Sequence, residues 1–331
     1  MNDFRTTFKN KRILVTGGTG SIGSEIVRQL IPLKPKQIRI YSRDESKQYQ
    51  LQHELSYFTN NKDILRFLIG DIRDKERLKR AFNDIDIVFH AAALKHVPFC
   101  EDNPFEATKT NVQGTQNVLD LAIDHRVEKV IAISSDKAVN PNTFMGITKL
   151  MMERMVISAA NYSGQLETKF AAVRFGNVIN SRGSVIPLWI DQIKKGGPVT
   201  VTDKKMERYF MTIRDAVNLI FMSTKIMLGK EIFVLKMSKC NIYELAQEVI
   251  DRYSSGKLIK IKITGSRIRE KLDERLYTDE EEQLMIDAGL FNIIQPTMED
   301  LKKRLSKYNI SKKNRNIKIA DIFDSLPKLN N

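Results

Sequence analysis

Ser135-Asp136-Lys137 puts a hydroxyl, a carboxyl and an amine on consecutive residues. A carboxyl beside an amine can run acid and base steps on neighbouring atoms of one substrate. The segment follows the apolar run Val130-Ile131-Ala132-Ile133, which reads as a buried strand, and it opens into a helix from about Thr143. Residues at the carboxyl end of a strand in a parallel α/β sheet face the ligand crevice. Lys149 lies one helical turn beyond Met145, so the two share a face. Methionine has no proton to give or take, so acid and base work falls on Asp136 and Lys137. A lysine base works only as the neutral amine, which burial and a neighbouring cation both favour; burial likewise favours a protonated carboxyl at Asp136.

The elements that must position these groups begin with Arg12-Ile13-Leu14-Val15-Thr16, a strand signal. Gly17-Gly18-Thr19-Gly20-Ser21-Ile22-Gly23 leads from it into a helix. A dinucleotide pyrophosphate needs close backbone approach and free N–H groups at a helix start, and Gly17, Gly20 and Gly23 have the spacing for this. Thr19, Ser21 and Ile22 lie in the same turn. The second strand, 37–41, ends at Ser42-Arg43-Asp44-Glu45. Ser42 and Arg43 suit a 2′-phosphate, so NADP is favoured; NAD is the alternative if Asp44 and Glu45 face the ribose. After a third strand, 65–69, Asp71 and Ile72 are placed to meet the adenine, with a helix N-cap the competing role for Asp71 or Asp74. Ala91, Ala92 and Ala93 follow a fourth strand, 86–90, and let the backbone pass close to a cofactor. Strands at 130–134 and 170–174 complete the series.

Strands separated by helical segments imply a parallel sheet with right-handed crossovers. The fold class is therefore α/β, a Rossmann doubly wound parallel sheet over residues 1–175 to which some later segments return. A smaller appended lobe follows over 176–300, with short strands near 199–201 and 232–234 and helices at 188–195, 242–253 and 280–288. Residues 301–331 form a basic extension. The formal charge of +14 suits an anionic ligand, and the lysines and arginines after Lys302 read as a solvated tail. No aromatic interleaving supports nucleic-acid readout, so no nucleic acid is expected. The two cysteines, Cys100 and Cys240, lack ligand spacing, and no metal is expected. With no apolar run long enough to span a bilayer and no apolar signal core, the expected location is the cytoplasm.

The chain resembles the UDP-N-acetylglucosamine 4,6-dehydratases of the capsule and flagellin-glycan type, which are extended short-chain dehydrogenases of polysaccharide biosynthesis. The similarity runs from about Lys11 to about Leu276. It is dense at Thr16 to Ser21, Tyr41 to Glu45, Ala92 to Pro98, Thr110 to Thr115, Ser135 to Pro141, Arg174 to Val178, Ser181 to Pro187 and Arg208 to Thr212. The resemblance implies a lyase that holds and recycles NADP: hydride leaves C4 of the hexose, water is eliminated across C5 and C6, and hydride returns to C6. It implies Lys137 as the C5 base, Asp136 as the acid at C6, Ser135 at the C4 hydroxyl and Lys149 at the nicotinamide ribose. Met145 stands where short-chain dehydrogenases usually carry the tyrosine of Tyr-x-x-x-Lys, as in some members of the dehydratase family. Asn177 is implied at the diphosphate, and Arg182, Ser184, Val185 and Arg208 at the uridine diphosphate. Lys95 meets sugar or phosphate, or is structural; Thr16 and Asn111 shape the cofactor site. The family's Arg-Pro-Gly-Glu-Lys-Leu appears as Arg267-Ile268-Arg269-Glu270-Lys271-Leu272, so Arg267 and Glu270 keep their implied phosphate and ribose contacts while the Pro-Gly turn is lost. A homo-oligomer is expected by the same resemblance. A UDP-sugar 4-epimerase and a non-catalytic nucleotide-binding sensor are the alternatives.

Overall fold

The computed structural model describes residues 4–58, 62–163, 168–179 and 181–294. The basic extension and the end of the expected second lobe lie outside these residues.

Among the described residues fourteen strands form: β1 (Arg12–Thr16), β2 (Gln37–Ser42), β3 (Leu65–Ile69), β4 (Ile87–His90), β5 (Lys129–Ile133), β6 (Lys169–Arg174), β7 (Asn177–Val178), β8 (Val199–Val201), β9 (Glu207–Met211), β10 (Glu231–Leu235), β11 (Lys239–Asn241), β12 (Ile261–Ile263), β13 (Met285–Asp287) and β14 (Phe291–Ile294). Nine make one sheet in the order β13-β14-β10-β6-β5-β4-β1-β2-β3. From β3 to β10 neighbours are parallel; β14 and β13 add an antiparallel edge. A parallel strand covered by helices on both faces reads as a continuous apolar run. Ile13 and Val15 pack into one core layer and Leu14 into the other, all fully buried. Because β1 pairs with both β2 and β4, the strand order reverses there, and a crevice opens beyond the carboxyl ends of these strands.

Two segments differ from the reading of the sequence. The run 232–234, expected as a strand of the smaller lobe, belongs to β10 and joins the main sheet beside β6, with Phe233 opposite Val173. Its side chains reach the two core layers alternately, so only the middle of the sheet can bury them. The helix expected over 280–288 stops at Gln283. Four acidic residues in its first turn favour a helix start, but Ile286 and Ala288 are buried on either side of exposed Asp287, a period-two pattern that pairs β13 with β14.

The smaller lobe has its own core around fully buried Trp189, whose indole N–H donates to the Thr200 carbonyl at 2.7 Å. It carries the β11-β9-β7 sheet and the β12-β8 pair. No helix among the described residues is long and apolar enough to cross a membrane.

Candidate active site

One cleft of about 1180 Å³ runs from the carboxyl ends of β1 and β4 to the smaller lobe. Its wall includes Gly17, Thr19, Gly20, Ser21, Ile22, Gly23, Ser42, Arg43, Asp71, Ile72, Ala91, Ala92 and Ala93 at one end. Gly17 has φ +65°, and a Cβ there would stand 2.6 Å from the Ala92 nitrogen. A Cβ on Gly23 would collide with the Gly17 carbonyl. These glycines keep the turn tight, and Gly20 caps the helix Ser21–Leu30 with no side chain bonded to its first N–H groups. Such an end takes an anion. The turn is therefore a cradle that fits a pyrophosphate.

At the adenosine end, Asp44 does not face the cleft as a free acceptor. It caps the helix Glu45–Leu55, taking the Lys47 N–H at 2.9 Å and the Lys47 ammonium at 2.6 Å. Arg43 is half-exposed and lies 3.6 Å from Asp71. Of the two acids that competed for a cap, Asp74 takes it, accepting from the Arg77 N–H. Asp71 instead accepts from the Arg73 N–H and Nε, both at 2.9 Å. Burial alone would raise the Asp71 carboxyl, but the Arg73 bonds outweigh it and hold the carboxyl below its ordinary value.

Ser135, Lys137, Met145 and Lys149 share the middle of the cleft. Thr143 caps the helix Phe144–Ala159 by accepting from the Gly146 N–H at 3.2 Å. A Cβ on Gly146 would strike the Lys137 carbonyl, so glycine lets this helix lie against the Asp136–Ala138 turn. Lys149 donates to the Ile133 carbonyl at 2.7 Å, and burial pushes its ammonium down to about 8 against the pull of Glu153 and Cys100. Behind it, burial and then Lys149 push His90 down to about 3. The neutral ring bridges Thr16 at 2.8 Å and Thr115 at 3.0 Å. Thr115 gives its own proton to the Asn111 carbonyl, which assigns the ring proton to Nε2. Asn111 in turn brackets Leu94, accepting from its N–H and donating to its carbonyl, so Thr16 and Asn111 bond within the cofactor-side scaffold.

Asp136 is the one catalytic candidate absent from the wall. It is fully buried behind Ser135 and Lys137, whose hydroxyl and ammonium donate to its Oδ1 at 2.7 and 3.0 Å. Its Oδ2 has no partner. The carboxyl that reaches the wall beside Lys137 is Glu274, which the sequence reading passed over. Nothing local separates Glu274 from its charged neighbours Asp273 and Arg275. Its Oε1 lies 3.9 Å from the Lys137 ammonium, and its Oε2 is buried without a partner.

On the smaller-lobe side the wall holds Lys95, Asn177, Arg182, Ser184, Val185, Arg208, Arg267 and Glu270. Ser184 caps the helix Val185–Lys194 without bonding it, and its buried hydroxyl has no partner. The Lys95 ammonium donates to the Arg182 carbonyl at 2.9 Å, and the Arg182 N–H to the Ser21 hydroxyl at 3.1 Å. Burial, then Arg182, lowers Lys95 from its ordinary value. Arg208 gives its guanidinium largely to backbone, the carbonyls of Glu207, Lys271 and Leu272 at 2.7 to 3.0 Å. Lys271 donates to the carbonyls of Val139 and Asn140. Together they tie the strap 267–274 across the cleft. The lost Pro-Gly turn survives as geometry: Arg269 takes the glycine position with φ +65°, and Arg267 and Glu270 bond to each other. Arg174, fully buried, binds Glu153 on the Lys149 helix, the Leu276 carbonyl and Glu281, and so fixes the strap to that helix.

Residues 13–296 match the family model described as polysaccharide biosynthesis protein. A Methanocaldococcus jannaschii protein described as an uncharacterized membrane protein is 52% identical over 84% of each chain. A Campylobacter jejuni UDP-N-acetylglucosamine 4,6-dehydratase (inverting) is 40% identical over 89% of this chain and 86% of its own. A Rickettsia canadensis UDP-glucose 4-epimerase is 42% identical over 85% and 82%. The solved structure of Pen from Bacillus thuringiensis superposes with a TM-score of 0.84 and 44% identity, covering 87% of this chain and 90% of that one. By its glycine cradle, its sheet order and this match over most of its length, the chain belongs to the polysaccharide biosynthesis protein family of extended short-chain dehydrogenases.

Proposed function

We propose that the protein is a nucleotide-sugar 4,6-dehydratase that converts UDP-N-acetylglucosamine to the UDP-2-acetamido-2,6-dideoxy-4-keto-hexose for a surface polysaccharide or glycan. The coarser reading, a nicotinamide-dependent enzyme that modifies a nucleotide sugar, is supported by relatives of both dehydratase and epimerase name. One observation carries the finer choice. Lys137 reaches the cleft wall bonded to Asp136, while Met145 occupies the place of the phenol that a simple epimerase uses as its base.

The Gly17–Gly23 turn and Lys149 would hold a nicotinamide cofactor, which when bound would supply the hydride chemistry at C4 and C6. The chain's own residues handle protons and position. Ser135 takes the C4 hydroxyl proton as its own passes to Asp136 over the 2.7 Å hydrogen bond. Lys137 removes the C5 proton made acidic by the new ketone, and later returns one. Lys149 binds the nicotinamide ribose. Ser184, Val185, Asn177 and Arg182 receive the diphosphate and Arg267 and Glu270 the uridine end, while Arg208 holds the strap that carries them. NADP is the favoured cofactor, because Asp44 is spent on a cap while Arg43 stays available for a 2′-phosphate. The reading places the enzyme in the cytoplasm as a homo-oligomer.

Incubation with UDP-N-acetylglucosamine in deuterated water, followed by proton NMR, tests it. A growing C6 methyl signal is the expected result. Appearance of UDP-N-acetylgalactosamine alone would select the epimerase, a reading that the epimerase-named relatives favour. Tight cofactor binding without turnover would select a sensor.

A further inference from the structure

The main sheet has a second edge, opposite the cleft, where its parallel strands begin. We propose that this amino edge, with the basic extension that leaves from it, docks the enzyme on an anionic lipid bilayer and turns the cleft away from the membrane. The proposal stands apart from the dehydratase reading, since it concerns where the enzyme sits and not what it converts.

Backbone hydrogen bonds gather the strand starts into one face. The Asn10 N–H donates to the Lys34 carbonyl at 3.1 Å and the Lys36 N–H to the Lys11 carbonyl at 2.8 Å, which joins the approaches to β1 and β2. The Asp86 N–H to the Arg12 carbonyl, the Glu128 N–H to the Asp86 carbonyl and the Lys169 N–H to the Glu128 carbonyl, at 2.9 to 3.0 Å, carry the line to β6. The Lys230 N–H extends it to β10 through the Phe170 carbonyl at 2.7 Å. Lys9, Lys34, Lys36, Arg126 and Lys230 are exposed along this face. Among the described residues none of the five meets a carboxylate; Lys230 donates to the Asn161 amide oxygen at 2.8 Å. The acids between them are engaged. Glu128 pairs with Lys11, the Asp86 carboxyl takes the Arg12 N–H at 2.6 Å, and Asp84 stands by the buried Arg39 guanidinium. The face therefore keeps a positive surplus.

Two further features choose a membrane as the partner. Tyr57 and Phe58, where the helix Glu45–Leu55 turns back toward β3, and Tyr162, beside the Asn161 that holds Lys230, are 77%, 65% and 79% exposed. Five strand spacings of about 4.8 Å separate β3 from β6, so these rings stand roughly 24 Å apart with the cations of β2, β1 and β5 between them. Exposed aromatic rings settle at the boundary between headgroups and acyl chains. Single-stranded nucleic acid needs them interleaved with cations along a groove instead. The second feature is where the described chain ends. β14 runs antiparallel to β10, so Ile294 lies opposite Ile232 at this same edge. From there the sequence 295–331 continues with nine lysines and arginines against four acids, and Leu301, Leu305, Tyr308 and Ile310 fall among them. A basic segment with interspersed apolar side chains is drawn to an anionic bilayer, and two such signals on one chain hold far better than either alone. The cleft opens at the carboxyl ends of the strands, so a docked enzyme keeps it open to solution.

Flotation of the full chain with lipid vesicles tests the proposal. Vesicles of about 30% phosphatidylglycerol in phosphatidylcholine are compared with pure phosphatidylcholine at about 0.05 and 0.5 M salt. Binding is expected to the anionic vesicles alone, and the higher salt should abolish it. A cation at such a surface is worth about fivefold in affinity, so Lys9→Gln, Lys34→Gln and Lys36→Gln combined should lower partitioning about 100-fold. Lys302→Gln, Lys303→Gln and Arg304→Gln combined should lower it by a similar factor. Tyr57→Ser with Tyr162→Ser should weaken binding several-fold and leave its salt dependence as in the parent. An unchanged urea midpoint shows each variant folded; if a triple variant does not fold, its single substitutions, at about fivefold each, carry the same test. Equal binding to both kinds of vesicle would overturn the proposal, and so would an edge variant that floats like the parent. Tighter binding to single-stranded oligothymidylate than to the anionic vesicles at equal salt would assign the face to nucleic acid and overturn it as well.

Discussion

Lys149→Met removes a charge that the fold holds against its own stability. Lys149 is buried, and burial lowers its ammonium from 10.5 to about 8. At about 1.4 kcal/mol for each pH unit, keeping it protonated costs the native state about 3 kcal/mol. The sign follows from linkage: the folded value lies below the unfolded one, so the unfolded chain binds the proton more tightly. The penalty is complete below about pH 8, fades as pH rises through the window between the two values, and is gone above 10.5. Methionine also deletes the bond to the Ile133 carbonyl, worth about 1 kcal/mol. Lys149→Met should therefore be about 2 kcal/mol more stable than the parent near pH 7 and about 1 kcal/mol less stable above pH 10.5. Urea unfolding of both proteins across that range, without added cofactor, measures the crossover. Cofactor affinity should fall in the same variant, since the amine is assigned to the nicotinamide ribose. A variant less stable at neutral pH, or a difference that does not change with pH, would refute the reasoning.

Arg43→Ala should weaken NADP binding by about 10–100-fold, the size of a charge-assisted phosphate contact, and leave NAD within about threefold; isothermal titration with both cofactors checks it, and equal losses would remove Arg43 from the 2′-phosphate. Arg269→Gly should stabilise the protein by up to about 1 kcal/mol, because a left-handed backbone costs a side-chain-bearing residue about that much and its ion pair with Glu101 is largely solvated. A melting temperature that falls instead would show that the Glu101 contact outweighs the backbone.

Most of the sheet was legible because a parallel strand covered on both faces must be apolar at every position, as Ile13, Leu14 and Val15 are. The glycine turn was legible because its spacing reflects contacts within a few residues, Gly23 against the Gly17 carbonyl. What failed was long-range. Nothing in 232–234 says that it adds to a sheet whose last strand closed at Arg174, and nothing in 280–288 says that an acidic helix start gives way to an antiparallel edge. The Ser-Asp-Lys triplet was visible, but its facing was not: one tight turn sends Lys137 to the cleft and Asp136 into the core. Glu274 is delivered from the far end of the chain by Arg208, Lys271 and Arg174, none of which has a local signal for that work.

In the proposed reading, Ser135, Asp136 and Lys137 let the site dispense with a phenol at position 145. With Met145 at that position, the proposed reading takes the proton off the sugar through Ser135, whose hydroxyl donates to an Asp136 that solvent cannot reach. The strap puts Glu274 beside Lys137, with its Oε1 3.9 Å from the ammonium. The strap is held by bonds to backbone carbonyls at Val139, Asn140, Lys271 and Leu272 and by one buried guanidinium between Glu153 and Glu281. Losing that guanidinium would leave the Glu153 carboxylate buried without its ion-pair partner and would release the Leu276 carbonyl, loosening the strap from the Lys149 helix.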